Sequence, residues 1–203
     1  MNGWQLGFEI ENSSNLSEIS PQKRKMVITL LGHHKVGKSA ITNSYLNIPF
    51  EDTMMTLGAS FKFKDLEYNS RQFRLQIVDI PGQDSYENIR KQYIRGSNGA
   101  IIVFDLTQNS SFRNLIDWVK EFSSVNTSNP KPFIIVGNKS DLLDQREVKL
   151  SDVRRFLTDI EQEPINQMVF KGYFETSAKT GENVKSTLKL LIDAIIEVLT
   201  ASS

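Results

Sequence analysis

Two glycines lie five residues apart near the start of the chain, and a lysine and a serine follow the second one directly. The segment Gly32–Ser39 reads G-H-H-K-V-G-K-S. Glycines let the backbone curl tightly, so that successive N–H groups point inward and form a nest for an anion. The lysine adds positive charge to that nest, and the serine hydroxyl is a ligand for Mg²⁺. This spacing predicts a loop that holds a nucleoside triphosphate.

The surroundings of this loop support the same interpretation. An apolar run, Val27–Leu31, leads into it, and a helical pattern with Ile41 and Tyr45 leaves it. A glycine-rich loop between a strand and a helix places phosphate at a helix N-terminus. We expect Lys38 to bind the β- and γ-phosphates and Ser39 to bind Mg²⁺. The other residues predicted to contact the nucleotide phosphates are Gly32, His33, His34, Lys35, Val36, Gly37 and Ala40.

A second motif selects the base. Asn138, Lys139 and Asp141 come directly after the buried run Phe133–Gly137. The carboxyl end of a parallel strand is where open α/β sheets bind ligands. An aspartate carboxylate accepts two hydrogen bonds from the N1–H and N2–H₂ edge of guanine, which adenine lacks, and a mismatched base would leave it unpaired. An ATP-binding protein remains a distant alternative that Asn138 and Asp141 oppose.

A third motif ends a later strand. The segment Glu175–Lys179 reads E-T-S-A-K, and Tyr173 and Phe174 precede it. Its backbone is expected to bind the guanine carbonyl. The nucleotide-binding residues predicted here are Ser177, Ala178 and Lys179.

The elements that must position these motifs alternate along the chain. Short β-branched apolar runs, such as Ala100–Phe104 and Phe133–Val136, are typical of parallel strands covered on both faces. Between them lie helical patterns, such as those of residues 112–122, 153–160 and 184–199. Residues 68–71 predict a hairpin turn that adds one antiparallel edge strand. The pattern predicts an α/β fold with a doubly wound sheet.

Composition excludes several classes of protein. The chain of 203 residues carries 24 Lys+Arg and 24 Asp+Glu, so its formal net charge of +0 opposes nonspecific binding to nucleic acid. With no cysteine, it has no disulfide, thiolate metal site or lipid anchor on sulfur. No apolar run approaches the ~20 residues of a membrane span. We expect a cytoplasmic protein whose membrane association is not encoded in this chain.

The first 24 residues differ from the rest. They are polar, but Trp4, Leu6, Phe8 and Ile10 alternate with polar neighbours, as in a half-buried strand. An added strand and a disordered leader both fit this pattern. We predict an N-terminal extension at residues 1–24 and a nucleotide-binding domain at residues 25–200.

From about Lys25 to Leu199 the chain resembles the small GTPases of the Ras superfamily. The resemblance rests on the order of the three motifs and on Asp79–Gln83, which is similar to the family's D-x-x-G-Q. It implies a GTPase domain with a six-stranded sheet. It also implies that Asp79 holds Mg²⁺ through water, that the Gly82 N–H senses the γ-phosphate, and that Gln83 orients the attacking water. Lys139 and Phe50 would then sandwich the guanine ring.

Within the superfamily the Rab branch is most similar. Residues 56–61 read T-L-G-A-S-F and residues 93–97 read Y-I-R-G-S, which resemble two Rab motifs. The resemblance implies that Thr56 binds Mg²⁺ through its hydroxyl and the γ-phosphate through its amide, with Thr53 as an alternative ligand. Gln83, Lys38 and Thr56 would carry catalysis. The implied ligands are GTP and GDP with Mg²⁺.

Three features depart from the family pattern. The loop carries His33, His34 and Lys35 where relatives usually have small residues. Bulk at position 34 crowds the water-positioning glutamine in the family, so slow hydrolysis is one expectation and a solvent-facing side chain is the other. The spacing from Ser39 to Thr56 is one residue shorter than in Rab proteins, and the chain lacks their C-terminal cysteines.

Two functions remain open at this point: a GTP-hydrolysing switch, and an adaptor that holds a guanine nucleotide with negligible turnover. In either case effectors, exchange factors and GTPase-activating proteins are expected to bind two switch regions, Thr56–Phe63 and Asp84–Arg95. The candidate anchors are Phe61, Tyr86, Ile89 and Tyr93, of which we expect Phe61 or Ile89 to pack inward.

Overall fold

The computed structural model describes residues 23–50, 58–125, 129–162 and 168–201, and the strands of this part lie in one sheet. The strands are β1 (Arg24–Leu31), β2 (Ser60–Tyr68), β3 (Arg71–Asp79), β4 (Gly99–Asp105), β5 (Lys131–Asn138) and β6 (Met168–Thr176). The helices are α1 (Lys38–Tyr45), α2 (Glu87–Gly96), α3 (Asn109–Arg113), α4 (Leu115–Ser123), α5 (Leu150–Gln162) and α6 (Val184–Ala201).

The sheet order is β2-β3-β1-β4-β5-β6. All neighbouring pairs are parallel except β2 and β3, which pair antiparallel at one edge. The predicted fold class, a mostly parallel six-stranded sheet with one antiparallel edge strand, is confirmed.

Helices cover both faces of the sheet. Every residue of β4 and β5 is buried, as their continuous apolar runs predict. One core cluster joins the sheet to α1 and α6, with Ile41 and Leu191 among its members. A second cluster on the other face joins the sheet to α4 and α5, with Phe122 and Val153 among its members. The packing on both faces holds the strands in position, and the motifs lie where these strands end.

The predicted hairpin is confirmed. β2 ends at Tyr68 and β3 begins opposite it at Arg71. Asn69 and Ser70 between them have φ values of 48° and 60°. Two consecutive residues with positive φ make the two-residue turn whose twist matches that of the flanking strands.

One predicted helical pattern is divided in the structure. The repeat from Phe112 to Phe122 forms two helices, α3 and α4, which meet at Asn114. Before the break, the Ser111 hydroxyl accepts a hydrogen bond from the Asp105 amide at 3.0 Å and is buried. This contact holds α3 against the end of β4. Periodicity misses the break because the side chains on both helices still face one core.

The predicted strand at Trp4–Ile10 lies outside the described residues. None of the helices in the described part is both long enough and apolar enough to cross a membrane.

Candidate functional site

A pocket of about 370 Å³ opens where β1, β3 and β5 end. It lies at the carboxyl ends of the parallel strands, where α/β sheets bind ligands. The predicted residues that line it are His34, Lys35, Gly37, Lys38, Ser39, Ala40, Phe50, Gly82, Gln83, Asn138, Lys139, Asp141, Ala178 and Lys179. The structure therefore brings the glycine-rich loop and the later motifs together around one space.

Some residues that were predicted to bind the nucleotide do not line the pocket. Val36 is fully buried, and its carbonyl faces Asn138. Ser177 is also fully buried, and its hydroxyl accepts a hydrogen bond from the Thr180 amide at 3.1 Å. Gly32 and His33 are not among the lining residues, and their carbonyl oxygens accept hydrogen bonds from Lys38. These residues shape the loops that line the pocket.

The glycine-rich loop closes around the side chain of Lys38. The Lys38 ammonium donates hydrogen bonds to the carbonyls of Gly32 and His33, both at 2.8 Å. Burial lowers the pKa of Lys38 to about 8, against the attraction of Asp79. A phosphate in the pocket would favour the charged form and raise that pKa again. Gly37, the residue before α1, has a φ of 97°, which favours glycine and turns the chain into the helix.

Gly82 lies directly against the glycine-rich loop. A Cβ at this position would come within 2.3 Å of the Gly32 carbonyl oxygen and 2.7 Å of the His34 nitrogen. No other residue type fits without moving one of the two segments. The segment carrying Gln83 is therefore packed backbone to backbone on the loop that is predicted to hold phosphate.

Two oxygen donors meet beside Lys38. The Ser39 hydroxyl donates a hydrogen bond to Oδ2 of Asp79. Oδ1 of Asp79 is buried and has no hydrogen-bond partner among the described residues. Burial raises the pKa of Asp79, with Ser39 and Lys38 opposing it. A buried carboxylate oxygen without a partner, next to a hydroxyl, fits the oxygen-only ligand set that Mg²⁺ prefers. Thr56 and the alternative Thr53 lie outside the described residues.

Asn138 joins three loops through one side chain. Its Nδ2 donates to the Val36 carbonyl at 2.9 Å, and its Oδ1 accepts from the Thr176 hydroxyl and the Ala178 amide, both at 3.1 Å. The glycine-rich loop, the end of β5 and the end of β6 are thus held at a fixed separation. This separation would set the distance between the phosphate and the base of a nucleotide in this pocket.

Lys139 and Asp141 flank the outer part of the pocket. Lys139 Nζ lies 2.5 Å from Oδ2 of Asp105, while Oδ1 of Asp105 accepts hydrogen bonds from the amide and hydroxyl of Thr107. This pair fixes the aliphatic stem of Lys139 along the wall. Phe50 lines the same wall and is 46% exposed. A flat aromatic ligand would cover both side chains.

His34 and Gln83 line the same part of the molecule. The His34 ring lies 4.0 Å from the His33 ring, centroid to centroid. Burial lowers the pKa of His34, and the charges of His33, Lys35 and Lys38 lower it further. The neutral imidazole is therefore favoured. The side chain adds bulk and a hydrogen-bonding ring to the pocket that Gln83 also lines.

The sequence analysis misses several residues at the site. Pro81 and Leu142 line the pocket, and Asp105 orders Lys139. Arg90 is buried and donates a hydrogen bond to the Gln83 carbonyl. No spacing signal marks Arg90, because its neighbours in α2 are mostly exposed polar residues.

The expectation that Phe61 or Ile89 packs inward is wrong. Phe61 is 40% exposed and Ile89 is 43% exposed. Phe61 lies on the edge strand β2, whose residues alternate between half-buried and exposed, and its ring is 5.6 Å from that of Tyr93, centroid to centroid. An exposed apolar patch therefore covers part of β2 and α2.

Comparison with known proteins decides the family. The sequence model of the Ras family matches residues 25–197. The chain belongs to the Ras family. This GTPase is 33% identical over 176 residues to Ras-related protein Rab-3D of Homo sapiens, covering 86% of this chain and 76% of that protein. It is 34% identical over 173 residues to Ras-related protein Rab-9A of Rattus norvegicus, covering 83% and 82%.

The similarity extends to plants. Ras-related protein RABC2b of Arabidopsis thaliana is 33% identical over 172 residues, covering 84% of this chain and 80% of that protein. The resemblance to Rab-type small GTPases is confirmed, and with it the assignment of the chain as a GTP-hydrolysing enzyme.

Proposed function

We propose that this Ras-family GTPase is a molecular switch that binds GTP and GDP with Mg²⁺, hydrolyses GTP slowly, and acts in membrane traffic or a related regulatory pathway. The observation that carries the proposal is Asn138, whose side chain ties the glycine-rich loop to both base-side loops around one pocket. Residues 25–200 form the switch, with residues 1–24 as an extension.

In this proposal the phosphate end carries the chemistry. Lys38 binds the β- and γ-phosphates, and Gln83 orients the attacking water. Ser39, Thr56 and Asp79, the last through water, hold Mg²⁺, which neutralises charge that develops on the phosphates. The Gly82 amide, packed against the loop, detects whether the γ-phosphate is present.

The base end carries the specificity. Asp141 accepts hydrogen bonds from guanine, and Lys139 and Phe50 cover the two faces of its ring. The backbone of Ser177–Lys179 binds the guanine carbonyl. A base that cannot satisfy the Asp141 carboxylate leaves a charge unpaired on binding, which is strongly unfavourable.

The partner surface follows from the same design. Loss of the γ-phosphate releases segments that Thr56 and Gly82 hold, so effectors, exchange factors and GTPase-activating proteins bind Thr56–Phe63 and Asp84–Arg95. A cytoplasmic location fits this role, with membrane contact through partners.

Nucleotide displacement tests the base assignment. Asp141→Ala should weaken GDP binding by about 2–4 kcal/mol, because a charge-assisted bidentate contact loses one partner. Asp144→Ala removes an exposed carboxylate from the same loop, away from the lining of the pocket, and should leave affinity unchanged. ATP that displaces a fluorescent GDP as well as GTP does would refute the guanine assignment.

A second function, a nucleotide-holding adaptor, is favoured by the bulk of His34 beside Gln83. Single-turnover phosphate release separates the two functions. The switch predicts a rate of about 10⁻⁴–10⁻³ s⁻¹ that an arginine supplied by a partner increases. Gln83→Leu should suppress this rate and leave nucleotide affinity largely intact. A parent rate no greater than that of Gln83→Leu favours the adaptor.

A further inference from the structure

Arg90 is a buried cation in a helix whose neighbouring side chains are exposed. Its relative exposure is 3%, whereas Glu87, Asn88 and Ile89 before it are all exposed. Its guanidinium lies over the ring of Trp118, 4.8 Å from the ring centroid. A charge in this position must be paired, because the desolvation of an unpaired charge is very costly.

Glu121 on α4 supplies that pairing. Arg90 Nε and Nη2 donate to the two carboxylate oxygens of Glu121 at 2.8 Å and 3.1 Å. This bidentate arrangement fixes the plane of the guanidinium as well as its position. The stacked ring of Trp118 on the same helix restricts it further. The orientation of the guanidinium is therefore set by α4 and not by solvent.

The remaining edge of the guanidinium faces the segment before α2. Arg90 Nη1 donates to the Gln83 carbonyl at 2.5 Å and lies 3.5 Å from the Pro81 carbonyl. The Gln83 carbonyl also accepts a hydrogen bond from the Tyr86 amide at 3.1 Å. Pro81 and Gln83 both line the nucleotide pocket. One side chain thus connects α4 to the backbone of the residue that orients water.

We propose that Arg90 is a positioning residue for GTP hydrolysis: it holds the Gln83 carbonyl on α4, so that the Gln83 side chain stays in the pocket. This inference rests on the proposed role of Gln83. Gly82, on one side of Gln83, packs on the backbone of the glycine-rich loop, and Arg90 supplies a second anchor at the Gln83 carbonyl. Small displacements of a water-positioning group cost large factors in rate.

A double-mutant cycle tests the proposal by single-turnover hydrolysis with GTP and Mg²⁺. Arg90→Met should lower the rate about tenfold in the parent and less than twofold in the Gln83→Leu background, because Arg90 acts through Gln83. GDP affinity should stay within about twofold. Lys120→Met, the matched control, removes an exposed cation next to Glu121 on α4 and should leave the rate unchanged.

Arg90→Lys keeps the charge but loses the planar fork, so it should recover part of the rate lost in Arg90→Met. If Arg90→Met does not fold, Arg90→Lys is compared with the parent in both backgrounds. An equal loss of rate in the presence and absence of Gln83 would overturn the proposal, as would an Arg90→Met rate equal to that of Lys120→Met.

Hydrogen exchange in the GDP state tests the anchoring role of Arg90 separately from the proposed switch function. Arg90→Met should accelerate exchange of the peptide containing residues 82–86, and Lys120→Met should not. A parent that binds GDP but does not hydrolyse GTP refutes the switch and, with it, a hydrolytic role for Arg90. Unchanged exchange in Arg90→Met refutes the anchoring itself, whatever the parent's rate.

Discussion

His34 is the residue whose effect on catalysis is easiest to measure. It lines the pocket with Gln83, and its imidazole is predominantly neutral because burial and nearby cations lower its pKa. If its bulk displaces the attacking water, His34→Gly should raise the single-turnover rate by about threefold to tenfold, which is roughly 0.7–1.4 kcal/mol in the barrier.

Lys35→Gly is the matched control for His34→Gly. Lys35 has a φ of 61° and belongs to the same loop, so glycine relaxes the backbone there as well. A rise in rate in both variants would point to loop flexibility, and an unchanged rate in His34→Gly would clear His34 of crowding.

At the scale of residues, spacing indicated the groups whose proposed partner is a ligand, and the structure places Lys38, Asn138 and Asp141 around one pocket. Such residues fall in short motifs because a loop that binds a nucleotide uses residues close together in the sequence. Arg90 and Asp105 were not predictable. Each pairs with a side chain about 30 positions away in the sequence, and Arg90 also binds a backbone carbonyl oxygen. A backbone acceptor leaves no mark in the sequence.

The loops at the strand ends depend on one another through Asn138. Asn138→Ala removes one donor and two accepted hydrogen bonds and leaves the buried Val36 carbonyl without that partner. We expect the free energy of unfolding to fall by about 2–3 kcal/mol, and GDP affinity to fall more than tenfold. Urea unfolding and GDP titration measure the two effects.

Asn109→Ala, at the exposed start of α3, is the control for Asn138→Ala. It should change neither the free energy of unfolding nor the free energy of GDP binding by more than about 0.5 kcal/mol. A loss of stability in Asn138→Ala without a loss of GDP affinity would mean that the loops keep their separation without this side chain.

Helix α2 is held at its far end by a second buried cation. Lys131 is 6% exposed and donates to the carbonyls of Ile94 and Arg95 at 2.7 Å and 3.0 Å. Burial, together with the charge of Arg95, lowers the pKa of Lys131 from 10.5 to about 8. The folded state therefore binds fewer protons than the unfolded state between these two values.

Stability should consequently rise with pH in that window. Below about pH 8 the folded protein carries the cost of the buried charge, and this cost disappears as the pH rises from about 8 toward 10.5. Urea unfolding of the GDP-saturated protein from pH 7.5 to 10.5 should show the rise in the parent relative to Lys131→Met. If the free energy of unfolding changes with pH in the same way in both proteins, the lowered pKa of Lys131 is contradicted.

At the scale of elements, the sequence predicted the core better than its edges. β4 and β5 were recognisable because both of their faces are buried. The break between α3 and α4 was not, because periodicity reports which face is buried and not whether the backbone is continuous. The exposure of Phe61 was missed for a related reason: alternation along β2 indicates that its two faces differ, but not how deeply either face of this edge strand is buried.

The whole molecule should respond to the γ-phosphate in limited regions. Only groups that differ between the GDP and GTP states can give a partner differential affinity. Hydrogen exchange in the state with a nonhydrolysable GTP analogue, compared with the GDP state, should show added protection around residues 51–58 and 82–86. The all-buried strands β4 and β5 should not change, and they serve as the internal reference. Uniform protection in both states would favour the adaptor.

The sheet order also has a consequence for the timing of biosynthesis. Of the described strands, β1 is the first to leave the ribosome, yet it lies in the interior of the sheet between β3 and β4. The two strands that pair with it are complete only when Asp79 and then Asp105 have been added. The wall formed by Ala178 and Lys179 arrives later still. A nascent chain therefore carries the glycine-rich loop long before it carries all the residues that line the pocket, and the complete pocket forms only after β6 has been added.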